Sequence, residues 1–190
     1  MRGAVAALLL VVALAGCREE AAQRPEPVAM TREAVGHFCQ MNLFEHPGPK
    51  AQVHLRGMSD PLFFSQVRDA IAYARLPEQS HPILAMQVNN MGASGATWEV
   101  PGKGNWIDAA DAFFVLGSAR EGGMGAPEAV PFATQDAADA FAAQEGGTVM
   151  RLSDIPDDLV LTPEETGPTD TADDADFEDR LRALSRPAEG

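Results

Sequence analysis

Residues 51–88, AQVHLRGMSDPLFFSQVRDAIAYARLPEQSHPILAMQV, carry the pattern that decides the fold. The apolar run at residues 51–55 predicts a short strand, and the run at residues 83–88 predicts a buried one. Between them, the triplet Ser-Asp-Pro at residues 59–61 is typical of a helix start, so we expect a helix from there to Arg75. Strands and a helix in this order favour an α+β domain.

The segment before this pattern supplies a further strand. We expect it at residues 38–43, joined to the strand at residues 51–55 as a hairpin by the His-Pro-Gly-Pro turn at residues 46–49. The first half of the domain then has the order ββαβ.

The second half contains the same kinds of elements. Strands are expected at residues 98–100, 113–116 and 130–132, a helix at residues 134–144 and a closing strand at residues 148–152. A second ββαβ unit is the economical interpretation of this order.

An offset of 68 residues aligns the two halves. It pairs aromatic and alanine positions around the two helices: Phe64 with Phe132, Ala70 with Ala138, Ala72 with Ala140 and Tyr73 with Phe141. Two ββαβ repeats that share one core are therefore the predicted architecture of residues 31–162, with halves at about residues 31–90 and 91–162.

The first residues of the chain predict export to the periplasm and a lipid anchor. The uncharged run at residues 4–15 is shorter than the roughly 20 residues that span a bilayer, so residues 1–16 are interpreted as a signal peptide. Leu-Ala-Gly-Cys at residues 14–17 resembles a bacterial lipobox, which implies cleavage before Cys17 and a lipid on its thiol. Arg18 favours the outer membrane over the inner one. The alternative is an ordinary signal peptide with an incidental cysteine.

Both flanks of the domain are polar. Residues 17–30 combine glutamate, glutamine and proline, which predicts a disordered tether between lipid and domain. Residues 163–190 hold nine acidic and three basic residues and are expected to form a disordered tail. The whole chain has 14 Lys and Arg against 28 Asp and Glu, a net charge of −14. This balance excludes a nucleic-acid role that depends on neutralising phosphates.

Cys39 and Met41 are the first candidate metal ligands. If Cys17 carries a lipid, Cys39 is the one remaining thiol of an exported chain and has no disulfide partner within it. On a strand, residues two apart point to the same face with Cα atoms roughly 6–7 Å apart, so the thiol and the thioether would converge. Ordinary core packing of both side chains is the alternative.

Met124 is the third candidate ligand. It stands alone among glycines in Glu-Gly-Gly-Met-Gly-Ala-Pro at residues 121–127, a loop too bare to bury it in the usual way. Filling a gap between the two halves is the alternative role. One thiolate and two thioethers form a soft donor set that selects Cu(I) over Zn(II), Mg(II) or Ca(II). The thiolate neutralises the ion, and binding should release a proton and weaken as the pH falls.

His37 and His46 are possible additional ligands or supporting groups. His37 is two residues before Cys39 and so on the same face of the expected strand, which makes it the better placed of the two. His46 lies in the Pro-Gly turn, where a surface role is the alternative.

Several stretches, in this order, resemble the NosL family of copper-binding lipoproteins associated with nitrous oxide reductase. They are Leu-Ala-Gly-Cys at 14–17, Phe-Cys-Gln-Met-Asn at 38–42, His-Pro-Gly-Pro-Lys-Ala-Gln at 46–52, Trp-Ile-Asp-Ala at 106–109, Ala-Phe-Phe-Val at 112–115 and Gly-Met-Gly at 123–125. Where the resemblance predicts a glycine between the two sulfur residues, this chain has Gln40.

The resemblance implies both a fold and a function. The implied fold is two ββαβ halves similar to the organomercurial lyase core, with a Cu(I) site on Cys39, Met41 and Met124. The implied function is a metallochaperone of denitrification that delivers copper to the copper centres of nitrous oxide reductase. It also implies docking on a membrane ABC-type complex that serves the same maturation.

Two other classes of function would use the chain differently. A thiol hydrolase or a lyase would use Cys39 as nucleophile with His37 or His46 as base, but the sequence shows no orienting third group. A scaffold lipoprotein would use the tail and a patch at Phe63 and Phe64, and Cys39 would be dispensable. The sulfur donors favour a metallochaperone that is not an enzyme.

Overall fold

The computed structural model describes residues 24–161. The predicted signal peptide, the lipidation site Cys17 and the tail at residues 163–190 lie outside the described residues. Among the residues described, no helix is both long and apolar enough to cross a bilayer.

The described chain contains seven strands and three α-helices. The strands are β1 (Ala51–Leu55), β2 (Leu62–Phe64), β3 (Ile83–Asn89), β4 (Trp106–Asp108), β5 (Phe113–Leu116), β6 (Val130–Phe132) and β7 (Thr148–Arg151). The helices are α1 (Val67–Arg75), α2 (Gln135–Glu145) and α3 (Asp158–Leu161), with short 3-10 helices at Leu43–Glu45 and Leu152–Asp154.

The strands form two antiparallel sheets with related connections. The first sheet has the order β2-β1-β3-β4 and the second has the order β6-β5-β7. In chain order, β1, β2, α1 and β3 make one ββαβ series, and β5, β6, α2 and β7 make another. The predicted α+β class is therefore confirmed. Descent of the two halves from a duplicated unit, and the similarity to organomercurial lyase, stay predictions.

The first half differs from the predicted order at its start. Residues 38–43 are not a strand, because backbone groups there bond within a turn, and β1 pairs with β2 and β3 instead. The helix start predicted at residues 59–61 is also wrong, since α1 begins at Val67. Leu62–Phe64 form β2 between these positions. Their bulky side chains favour pairing with β1, which overrides the capping triplet.

The second half follows the prediction with one exception. β5, β6, β7 and α2 lie within one residue of their predicted bounds. Residues 98–100 are not a strand, and the edge strand β4 lies later, where it pairs with β3. The Trp98 carbonyl accepts the Gly48 N–H at 2.6 Å, and the Trp98 ring packs against that glycine. The predicted strand is therefore a loop fastened to the turn at residues 46–49.

One apolar core joins the two sheets. Phe64 and Ile71 of the first half and Phe114 of the second are each at most 1% exposed and belong to the same cluster. Burial of side chains of this size contributes about 1.5–3 kcal/mol each relative to exposure. The two helices pack differently: α1 buries Val67, Ala70 and Ile71 in this core, whereas α2 buries Ala138 in a second, smaller cluster with residues of β5 and β6.

The chain before β1 is attached to the first sheet. The Gln52 side chain bonds to both backbone groups of Val28, and the Gln87 amide donates to the carbonyl of Pro25. The predicted disordered tether therefore does not extend over residues 25–28. Two buried glutamines of the sheet take these backbone groups as partners, since a buried amide without a hydrogen bond is costly.

Candidate metal centre

Cys39 lies in a tight turn that precedes the first strand. Two backbone hydrogen bonds close the turn, from Gln40 N–H to the Gly36 carbonyl at 2.8 Å and from Gly36 N–H to the Met41 carbonyl at 2.9 Å. Gln40 has a φ of 55°, the one positive value outside glycine in the described chain, and its amide donates to the His37 carbonyl at 2.6 Å. This left-handed backbone explains why a glycine is expected here.

The Cys39 thiol is half-buried between two polar neighbours. Its Sγ lies 3.5 Å from Ser65 Oγ and 4.0 Å from the Met41 carbonyl oxygen. A Cβ added to Gly36 would lie 2.5 Å from Sγ, so this glycine makes room for the sulfur. Within residues 24–161 no histidine is hydrogen-bonded to Cys39.

Met41 shares this turn with Cys39. The prediction that a pleated strand aligns the two side chains is wrong, because the turn sets their separation instead. Met41 remains 40% exposed. Its thioether is accordingly accessible from solvent beside a thiol that is only half covered.

Met124 sits at the tip of the glycine loop, residues 121–127. An isolated β-bridge between Glu121 and Pro127 closes the base of the loop. Within the loop, the Gly125 N–H donates to the Gly122 carbonyl at 2.9 Å and forms a turn. Met124 is 45% exposed, so the prediction that this loop does not bury it is confirmed. The loop holds a thioether at the surface.

Two side chains of the first half hold the glycine loop in place. The Met124 N–H donates to Gln66 Oε1 at 2.8 Å, and His46 Nδ1 is 2.8 Å from the Gly123 carbonyl oxygen. A Cβ on Gly122 would lie 2.6 Å from the Gln66 amide nitrogen, and one on Gly123 would lie 2.5 Å from His46 Cβ. The glycines therefore permit a close backbone approach, here to protein side chains.

The two sulfur-bearing segments meet at consecutive residues. Ser65 contacts Cys39, and Gln66, the next residue, holds the backbone of Met124. These two residues connect β2 to α1 and are 2% and 0% exposed. A buried junction therefore holds segments that are far apart in the sequence.

Lys50 ties the turn at residues 46–49 to the same junction. It is 2% exposed, and its ammonium donates to three backbone carbonyls, two in that turn and one at Ser65, at 2.7–3.2 Å. Burial lowers the pKa of Lys50 to about 8, against the opposing charges of Glu128 and of Cys39 as thiolate. The ammonium is thus a positive neighbour of the thiol.

Glu128 follows the glycine loop and reaches the start of α1. Its Oε1 accepts the backbone N–H groups of Arg68 and Ala129, both at 2.9 Å, whereas its Oε2 is buried without a hydrogen-bond partner. Burial raises the pKa of Glu128 to about 8, and the two backbone donors oppose this rise. The carboxyl therefore caps the first turn of α1 from the other half of the molecule.

The histidines occupy different surroundings. The His37 ring lies among the rings of Phe38, Phe64 and Tyr73, with centroids 5.3–5.6 Å away. His46 contacts the glycine loop through Nδ1, and its Nε2 is buried without a partner. The strand that made His37 the better placed of the two is absent, so the structure removes the reason for preferring it.

The sequence did not single out the residues that organise the site. Ser65, Gln66 and Glu128 belong to no recognisable motif, since buried amides and carboxylates become visible only once their partners are known. At Gln66 the signal appears only once the start of α1 is known: glutamine is not among the preferred helix N-cap residues, yet it occupies that position. Lys50 directly follows the His-Pro-Gly-Pro turn and could have been noticed there.

The fold and the site together define a small α+β protein in which a half-buried thiol and two exposed methionines lie on segments that meet beside one helix N-terminus. The chain belongs to the NosL family: the family model described as NosL matches residues 27–160. The resemblance seen in the sequence is thereby confirmed.

Characterised relatives agree with this assignment. The chain is 61% identical over 193 residues to the copper-binding lipoprotein NosL of Achromobacter cycloclastes, with 100% of both chains covered. It is 36% identical over 156 residues to the copper-binding lipoprotein NosL of Stutzerimonas stutzeri, covering 80% of this chain and 79% of the relative. The crystal structure of the copper chaperone NosL from Shewanella denitrificans matches with a TM-score of 0.64 and 30% identity, over 68% of this chain and 95% of that one. These names denote binding proteins and a chaperone, which confirms the prediction of a non-enzymatic protein.

Proposed function

We propose that this protein binds one Cu(I) ion through Cys39, Met41 and Met124 and passes it on to another protein. A relative that matches the whole chain is named for copper binding, and a structural neighbour is named as a copper chaperone. One thiolate and two thioethers are the soft donors that favour Cu(I). The thiolate charge balances that of the ion, so the occupied site is neutral and tolerates partial burial.

The observation that carries this proposal is the docking of both sulfur-bearing segments at one junction. Cys39 contacts Ser65, and the Met124 backbone is bonded to Gln66. Consecutive buried residues thus receive a thiol from one part of the chain and a thioether-bearing loop from another. Met41 belongs to the same turn as the thiol.

His46 is the better candidate for a further ligand. Its Nδ1 contacts the glycine loop, while its Nε2 is buried and unpartnered. A neutral imidazole whose other nitrogen is held by a carbonyl is a common form of metal-binding histidine. His37 lies within a cluster of aromatic rings, which makes it a packing residue in this proposal.

Transfer of copper follows from the exposure of the two thioethers. Met41 and Met124 are 40% and 45% exposed, so an incoming ligand can reach the ion from solvent. Thioethers bind weakly and can be displaced one at a time while the thiolate still holds the metal. The proposed recipient is nitrous oxide reductase, with a membrane ABC-type complex as a docking partner, as the family resemblance implies.

The proposed location is the periplasmic face of a membrane. The relatives are named lipoproteins, which supports a membrane-anchored protein. We place the lipid on Cys17, after removal of residues 1–16, and Arg18 favours the outer membrane.

A competition titration tests the copper site. The full-length chain, purified from membranes in detergent, is titrated anaerobically with Cu(I) against a chelator. We expect Cys39→Ala to abolish tight binding and Met41→Leu or Met124→Leu to weaken it about tenfold each. Met58→Leu is the matched control, since Met58 is 48% exposed on the turn after β1. The Met58→Leu variant should bind Cu(I) as tightly as the native chain. All variants retain Cys17, so their differences report the proposed ligands. A Cys39→Ala variant that binds as tightly as the native chain would rule out this site.

A further inference from the structure

Gln66 occupies the N-cap position of α1 but does not cap the helix. It is 0% exposed, and its side chain makes no hydrogen bond to the first turn of α1. The amide instead accepts the Met124 N–H at 2.8 Å and donates to the Ala126 carbonyl at 3.4 Å. One buried side chain therefore bonds to the glycine loop on both sides of its tip.

The glycine loop closes on itself through backbone hydrogen bonds, and the side chains that attach it to the first half are His46, at Gly123, and Gln66, at Met124 and Ala126. Three of its seven residues are glycines, and the Met124 side chain is 45% exposed and so is not fixed by burial. A Cβ on Gly122 would meet Nε2, Cδ and Cγ of Gln66 at 2.6–2.7 Å, so the loop backbone lies directly on this side chain. The position of Met124 accordingly depends on the Gln66 amide.

The helix can release Gln66 because another residue supplies a cap. Glu128, directly after the glycine loop, accepts the Arg68 N–H at 2.9 Å. A side-chain oxygen at this N–H performs the stabilising function that an N-cap residue usually performs. Gln66 and Glu128 together fasten the loop and the helix start to each other.

We propose that Gln66 is a positioning residue for copper binding, which holds the Met124 loop in the place where its thioether can reach the metal. This inference rests on the proposed function, with Met124 as a ligand. A ligand held in place needs less ordering when the metal binds, and preorganisation of this kind raises affinity. Gln66 itself does not touch the metal in this proposal.

A double-mutant cycle tests the inference. Cu(I) affinity is measured by chelator competition for the full-length native chain, Gln66→Leu, Met124→Leu and the double variant. We expect Gln66→Leu to weaken binding about tenfold in the native background and not at all in the Met124→Leu background, because it acts through that ligand. An equal loss in both backgrounds, or no loss in either, overturns the inference. A Met124→Leu variant with native affinity overturns the proposed ligand set instead, so the two failures are distinguishable.

Two further variants separate positioning from general stability. Gln52 is a matched control because it is also 0% exposed and also bonds to a backbone segment, at Val28, away from the glycine loop. Gln52→Leu should leave Cu(I) affinity unchanged even where it lowers the unfolding temperature.

Gln66→Glu is the conservative variant. Burial at this position, which is 0% exposed, favours the protonated carboxyl, which offers the same acceptor and one donor, so at pH 6 this variant should bind within about threefold of the native chain. It also keeps the test decisive if Gln66→Leu does not fold. A loss in Gln66→Glu as large as that of Met124→Leu, or a loss of affinity in Gln52→Leu equal to that of Gln66→Leu, contradicts a positioning role.

Discussion

The N-termini of α1 and α2 have the same backbone conformation at the N-cap residue but different side-chain hydrogen bonds. The N-cap residues, Gln66 and Thr134, both have a φ of −130° and are 68 residues apart, the offset that aligns the two halves. Thr134 caps its own helix by accepting the Ala137 N–H at 3.3 Å. Gln66 instead holds the glycine loop, and Glu128 caps α1 in its place.

This difference separates a helix start that supports the proposed copper site from one that supports only its own helix. The start of α2 is self-sufficient, whereas the start of α1 depends on a carboxyl that the other half supplies. In return, the glycine loop depends on a side chain from the start of α1. The proposed copper site lies where the two halves depend on each other, and the equivalent place in the second half has only an ordinary helix cap.

Removing the cap that crosses between the halves should have the largest effect on stability. Glu128→Ala deletes the acceptor for the buried backbone N–H groups of Arg68 and Ala129. We expect the free energy of unfolding to fall by about 3 kcal/mol, as when a helix cap is lost and buried donors are left without an acceptor. Urea unfolding measures this effect. A loss below about 1 kcal/mol would mean that Glu128 does not support α1.

The same carboxyl should make stability depend on pH. Burial raises the pKa of Glu128 from its ordinary 4.5 to about 8, so between these values the folded chain keeps a proton that the unfolded chain has lost. Stability attributable to Glu128 is therefore present at low pH and decreases as the pH rises through this window. Glu128→Gln keeps an acceptor and removes the titration. Urea unfolding from pH 5 to 7.5 should show a decline in the native chain that is smaller in this variant; equal declines would contradict the pKa shift.

Removing the ordinary cap should have a smaller and purely structural effect. Thr134→Ala deletes the hydrogen bond to Ala137 N–H, and the free energy of unfolding should fall by about 1 kcal/mol. Cu(I) affinity should not change, which is the reverse of the result expected for Gln66→Leu. A Thr134→Ala variant with weakened copper binding would show that the two helix starts are not functionally distinct.

The smallest effect is expected at Gln40, in the turn that carries Cys39. Gln40→Gly relieves a left-handed backbone at φ 55° but loses the side-chain hydrogen bond to the His37 carbonyl. The glycine also gains entropy in the unfolded chain. These contributions oppose each other, so the free energy of unfolding should change by less than about 1 kcal/mol. A larger decrease in the free energy of unfolding, measured by thermal unfolding, would show that the loss of the Gln40 side-chain hydrogen bond dominates.

The predictable part of the fold is the part whose local pattern agrees with its tertiary contacts. The runs at residues 83–88 and 113–116 are apolar and bounded by turns, and both form strands that are buried within their sheets. Residues 59–61 also have the pattern of a helix start, but the pairing of β2 with β1 decides the structure there. The strand predicted at residues 38–43 is wrong for a related reason. Gln40 adopts a left-handed backbone there, and a glutamine, unlike a glycine, does not indicate a turn in the sequence.

The proposed donors of the candidate site stand out in the sequence, whereas the residues that position them do not. Cys39 and Met124 stand out because an unpaired thiol is unusual in an exported chain and a methionine is unusual in a loop of glycines that cannot bury it. Gln66 and Glu128 do not stand out, since their roles depend on which backbone groups lie beside them. His54 illustrates the same limit: it is 7% exposed, bonded to Gln52, with its pKa lowered by burial, and its sequence context does not indicate this partner.

X-ray absorption spectroscopy of the Cu(I)-loaded full-length chain tests the convergence of Cys39, Met41 and Met124 most directly, because it counts the sulfur atoms bound to the metal. We predict three sulfur neighbours in the native chain and two in Met124→Leu, with the thiolate retained. A sulfur count that stays the same when Met124 is replaced would contradict a copper site built from both halves of the molecule.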